Sequence, residues 1–124
     1  MLLWAVLTAL TITSCKEDVD TSARYVFKYD TILSYLEKHE QYSEYVHLLG
    51  QVPVGPVSTS TLYQLMSARG NYTVFAPTNE AIQHYLDTLC ARNVIDAPSW
   101  DGFRDSTTLD SIRKVIVYNS IIDR

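Results

Sequence analysis

The run from Asn71 to Ile82, NYTVFAPTNEAI, dictates a strand, an abrupt stop and a helix start within one short stretch. Tyr72, Val74 and Ala76 alternate with Thr73 and Phe75, the pattern of a pleated and largely buried strand. Pro77 offers no backbone N–H and disfavours helical backbone at Ala76, so the ladder ends where a helix begins. Thr78 is the expected N-cap, its hydroxyl accepting from an N–H of the first turn. Glu80 sets a carboxylate near the positive end of the helix dipole.

On either side of this corner the chain reads as helices. Asp30 is the expected cap of a short one containing Ile32, Leu33, Tyr35, Leu36 and His39. A second follows Ser43, with Tyr45, Val46, Leu48 and Leu49 inward and Gly50 placed for a left-handed C-terminal cap. Pro53, Gly55 and Pro56 make 51–60 a loop. Leu62, Leu65 and Met66 mark a third helix capped by Ser60 or Thr61 and closed by Gly70. After Thr78, one face collects Ala81, Ile82, Tyr85, Leu86 and Leu89. Residues 91–106, with Pro98 and Gly102, read as a long connection. Thr107 or Thr108 then starts a last helix containing Leu109, Ile112, Val115, Ile116, Val117 and Tyr118.

The expected class is α+β, rich in helix and short of sheet. A strand cannot satisfy its backbone without a partner, and a stable sheet generally wants three or more strands. The remaining strand candidate is Tyr25–Tyr29, so the missing partners are expected from another chain or from further sequence. The nearly all-apolar end of the last helix, Val115–Tyr118 followed by Ile121 and Ile122, likewise asks for cover on more than one side.

The wording of the corner is more specific than its grammar. It resembles the signature TVFAPTNEAF of the fasciclin domain, a family of extracellular adhesion and interaction modules. The match runs through Thr73, Val74, Phe75, Ala76, Pro77, Thr78, Asn79, Glu80 and Ala81. The resemblance implies a fasciclin-like fold, here a helix-rich N-terminal half with an incomplete β-sheet over residues 25–124, and a non-enzymatic task. In the family a His-containing segment and a second, strand-rich half follow. Ser120 stands where that His belongs, so no adhesive role passes to Asn119 or Ser120, and the chain reads as the N-terminal portion of a longer protein.

The other informative end is MLLWAVLTALTITSC, which has no charged side chain and an apolar stretch too short for a membrane span of about 20 residues. Residues 1–14 fit a secretory signal peptide, although no Lys or Arg opens it. Ile12, Thr13, Ser14 and Cys15 resemble the bacterial lipoprotein signal, which implies acylation, including palmitate, at Cys15. Lys16–Asp20 is similar to the acidic tag that directs some lipoproteins to the outer face of the outer membrane. Residues 15–24 then form a polar tether, and the expected location is the outer membrane, lipid-anchored and surface-exposed.

Charge and chemistry narrow the function. A formal charge of −4 without a basic face argues against nucleic acid. With Cys15 assigned to lipid, Cys90 stands alone and reads as a small buried hydrophobe. Glu80, His84 and Asp87 share a helical face that resembles a metal-ligand spacing, yet they read as an exposed polar face; His39 and His47 read as partly buried helix residues. No nucleophile elbow, metalloprotease helix, Cys-x-x-Cys or phosphate loop occurs, so no catalytic residue, metal or cofactor is assigned. The nine tyrosines, among them Tyr42, Tyr45, Tyr63, Tyr72 and Tyr85, read chiefly as core-boundary residues with wet hydroxyls. Such rings also suit a protein or glycan partner. The expected function is adhesion or extracellular interaction. The alternatives are a glycan- or small-ligand-binding accessory lipoprotein and a fragment without activity of its own.

Overall fold

A computed structural model describes residues 29–124. The signal peptide, Cys15, the tether and all but the last residue of the Tyr25–Tyr29 segment lie outside the described residues. The elements are α1 (Ile32–Glu37), a 3₁₀ turn (Glu40–Tyr42), α2 (Ser43–Gln51), α3 (Leu62–Ser67), β1 (Tyr72–Val74), α4 (Asn79–Ala91), a second 3₁₀ turn (Trp100–Gly102), α5 (Ser106–Ser120) and β2 (Ile121–Asp123). The class is α+β: the described residues form five α-helices and one two-stranded antiparallel sheet. None of these helices is long and apolar enough to cross a membrane.

Helix starts follow side-chain chemistry, but not always at the expected residue. Thr31, not Asp30, caps α1 through a bond from Ser34 N (3.1 Å). Asp30 instead holds Lys38 Nζ with both oxygens, at 2.8 and 2.9 Å. The Gln64 carboxamide reaches back to Thr61 N (3.0 Å) at the start of α3. Thr78 caps α4, accepting from Ala81 N (3.2 Å), as the sequence predicts. Asp105, one position before the helix proper, caps α5 in place of Thr107 or Thr108, accepting from Thr108 N at 2.6 Å. The Thr108 side chain and this backbone N–H together hold the Asp105 carboxyl below the usual carboxylate range.

The glycines end no helix in the expected way. None has positive φ. Gly50 lies inside α2, which runs on to Gln51 and stops at extended Val52, while α3 ends before Gly70, at Ala68. Among the described residues the one in the left-handed region is Asn93 (φ 60°), after α4. Its N–H bonds to Cys90 O and that of Val94 to Leu89 O, both at 3.0 Å, the paired closure of a Schellman motif.

The core lies among α2, α3, α4 and α5. Tyr45, Leu49, Val52, Met66 and Val117 are fully sealed from solvent, with Leu33, Leu36, Leu62, Ile82 and Leu86 around them. Ile95 adds a further buried side chain from the connection after α4. Arg113 on α5 lies 5.8 Å from the centre of the Trp100 ring, which fastens that connection to the last helix.

The strand of the corner finds its partner at the other end of the chain. Tyr72 faces Asp123, Thr73 faces Ile122 and Val74 faces Ile121, and Phe75 N extends the pairing to Ser120 O at 2.8 Å. The expectation that β1 must be completed from elsewhere is therefore corrected in part, because residues read only as apolar helix tail supply β2. Among the described residues the sheet has two strands. Burial is also one-sided: Tyr72, Val74 and Ala76 pack on the core, whereas Thr73 and Phe75 face outward.

Candidate functional site

The corner is the point where four elements meet, and its polar residues hold them together. Asn79, the first residue of α4, uses its whole carboxamide. Oδ1 accepts from Glu44 N (2.9 Å), and Nδ2 donates to Glu40 O (3.1 Å) and Ser43 Oγ (2.9 Å). Helix α2 receives no cap from its own preceding residue, Tyr42. Asn79 supplies that cap from 35 residues away in sequence, so one side chain closes the N-terminus of α2 while opening α4. We expect Asn79→Ala to cost about 1 kcal/mol. Asn79→Asp should recover only part of it, since it keeps the acceptor and loses both donors. Thermal melts of the three proteins side by side would test this, and equal melts for Asn79 and Ala would refute the clamp.

Behind the corner, Ser120 joins three elements. Its carbonyl accepts from Phe75 N, its hydroxyl donates to Val117 O at 2.7 Å, and the same oxygen lies 2.6 Å from Tyr45 Oη. Ser120 is the one polar residue among the described residues that is buried. Burial pushes the Tyr45 phenol up.

On the outer side the corner leaves an apolar groove of about 380 Å³ between the end of β1 and helices α4 and α5. Phe75, Pro77, Tyr85, Val115 and Ile116 line it. Phe75 is 65% exposed and Val115 48%, and Ile122 (45%) is exposed on β2. The expected need for cover at the end of α5 is thus divided: Val117 is sealed in the core, and Val115 is left open. Asn119 is exposed on the rim of the same groove.

The other candidates separate. Glu80, His84 and Asp87 are all exposed on α4, and Asp87 accepts from Gln83 Nε2 (3.0 Å). Among the described residues no group of three His, Cys, Asp or Glu side chains could hold a metal ion. His39 is half-buried, with Nδ1 2.7 Å from Tyr35 O; His47 is exposed rather than partly buried and lies against Gln51 Nε2 (3.1 Å). Cys90 is a free thiol, half-buried against the core.

The tyrosines also divide. Tyr45 is fully buried, its hydroxyl dry rather than wet. Tyr63 Oη donates to Glu37 (2.5 Å), which raises the Tyr63 phenol, and Tyr118 Oη donates to Pro53 O (2.7 Å). Tyr29, Tyr35, Tyr42 and Tyr72 surround a second, larger groove between α1 and β1. Sequence reasoning missed the roles of Asn79 and Ser120. An asparagine immediately after a capping threonine was the available signal, and Ser120 gave none. No family model, curated protein or solved structure matches the chain.

Proposed function

We propose that this chain is a non-enzymatic interaction module of the fasciclin type, held at the outer face of the outer membrane by a lipid on Cys15 and engaging a protein partner. The signature-like wording of Thr73–Ala81 supports the family, and the uncharged leader ending at Cys15 supports the anchor. One observation carries the interaction reading: Phe75, in the most constrained segment of the chain, is left 65% exposed beside an apolar groove. A large aromatic ring held outward on a rigid corner and rimmed by apolar side chains is the usual chemistry of a protein-binding hot spot. The clamped Asn79 and the buried Ser120 keep that corner rigid, so little ordering entropy is lost on binding.

The test is surface expression of the full chain in a Gram-negative host, scored by cell–cell aggregation. Expected are aggregation that free sugars do not compete away, its loss on Phe75→Asp, and loss of membrane fractionation on Cys15→Ser. Aggregation that Phe75→Asp leaves untouched in a folded protein would remove the support for this face.

A further inference from the structure

A second groove, independent of that reading, lies between α1 and β1 and encloses about 670 Å³, within the range of small-ligand clefts, about 300–1,000 Å³. Four tyrosines, Tyr29, Tyr35, Tyr42 and Tyr72, share its wall. Tyr29 is 81% exposed and Tyr35 51%, so these rings are not spent on the core. Tyr35 is nonetheless held in place: the His39 ring stacks on it at 4.2 Å and meets Tyr42 edge-on at 6.5 Å. The result is a braced aromatic platform.

The hydroxyls tell the same story. Tyr45, Tyr63 and Tyr118, outside the groove, each bond a protein group. Among the described residues the hydroxyls of the four groove tyrosines bond no protein group, and each can donate and accept. The strand adds more. Because Phe75 bonds to Ser120, the alternation of an antiparallel pair turns the peptide groups of Tyr72 and Val74 away from β2, and both residues line the groove. Gly70 permits this arrangement, since a Cβ there would lie 2.7 Å from the Tyr72 ring.

Charge decides the ligand class. Among the described residues, the one charged side chain on the wall is Asp30, and Lys38 occupies both of its oxygens. The described wall therefore offers a ligand apolar ring faces beside neutral hydroxyl and amide groups, with its one carboxylate already paired. We propose that it binds a neutral oligosaccharide, with the apolar face of a pyranose stacked on the Tyr35 ring and its hydroxyls bonded to the tyrosine hydroxyls and the β1 edge.

The experiment is calorimetric titration of the full chain in detergent with maltotriose, cellotriose and chitotriose. Sialyllactose serves as the charged control, and a short extended peptide of alternating aromatic and β-branched residues as the strand-adding control. Expected is a Kd below about 1 mM for at least one neutral trisaccharide. Tyr35→Ala should weaken it about tenfold, Tyr35→Phe by less, and Val57→Ala, on the remote loop, not at all. Tyr35 is half-exposed, so its loss should leave the fold intact; Tyr72→Phe, which removes only a hydroxyl, tests the same groove without touching its packing. Silence with all three neutral sugars, sialyllactose bound as tightly, a preference for the peptide, or binding indifferent to both Tyr35→Ala and Tyr72→Phe would each overturn the proposal.

Discussion

Gly102→Ala should destabilise the protein by about 3 kcal/mol, near the upper end for forced overpacking. A Cβ at Gly102 would overlap the carbonyl oxygen of Ala97 and lie 2.7 Å from its nitrogen. Both are backbone atoms, so no rotamer change can relieve the contact. The peptide groups that would have to move also close the connection: Asp96 N bonds to Gly102 O at 2.9 Å and Gly102 N to Ser99 O at 3.1 Å. Opening that loop would withdraw Ile95, now 2% exposed, from the core. The same substitution at Gly50 should do the opposite. Nothing lies within 4 Å of a Cβ there, and the residue is helical, so alanine should stabilise by about 0.5–1 kcal/mol. Urea denaturation of both variants reads the two signs in one experiment. A destabilised Gly50→Ala would restore the left-handed cap suggested by sequence, and an unchanged Gly102→Ala would mean that the 92–105 connection is not packed as described.

The glycines show what sequence can and cannot convey. Gly50 stands at the end of an apolar pattern, where a cap is the commonest use, and its helical role depends on Val52 being drawn into the core as extended chain. Gly102 stands in a polar stretch that reads as loop, and its constraint comes from a backbone passing close by, which leaves no periodic trace. The helices were legible because each buries a stripe, and Thr78 was legible because capping is local chemistry. β2 was not. Ile121–Asp123 continues an apolar helix without a break, and only pairing with Tyr72–Val74, 51 residues away at Tyr72–Asp123, turns it into strand. The corner itself was legible as a shape. Asn79 gives it a further purpose, because the clamp on α2 joins segments whose proximity no local pattern reveals. The tyrosine groove is of the same kind: its rings come from the segment before α1, from α1, from the first 3₁₀ turn and from β1, and share one wall only after folding.

Removing either hydroxyl of the Tyr45–Ser120 pair should destabilise the protein, and unequally. Ser120 has one hydroxyl proton, and Val117 O, 2.7 Å away, can only accept it. The proton between Tyr45 Oη and Ser120 Oγ must then come from tyrosine. Tyr45→Phe deletes that donor and leaves Ser120 still bonded to Val117, at a cost of about 1 kcal/mol. Ser120→Ala strands a phenol donor in a site where Tyr45 has no solvent exposure, which should cost about 2–3 kcal/mol. With both changed, no phenol is left unsatisfied. The double variant should therefore be more stable than the sum of the singles by about 1 kcal/mol, and close to Ser120→Ala or better. Equilibrium unfolding of the four proteins measures the cycle. A costlier Tyr45→Phe would reverse the assigned proton, and strict additivity would mean that the 2.6 Å contact contributes nothing. The same cycle bears on the outer face. Ser120 also receives Phe75 N, so if the pair holds the end of α5 against β1, Ser120→Ala should loosen Phe75 more than Tyr45→Phe does. Hydrogen exchange at the Phe75 amide separates the two, because only a rigid corner keeps that proton protected.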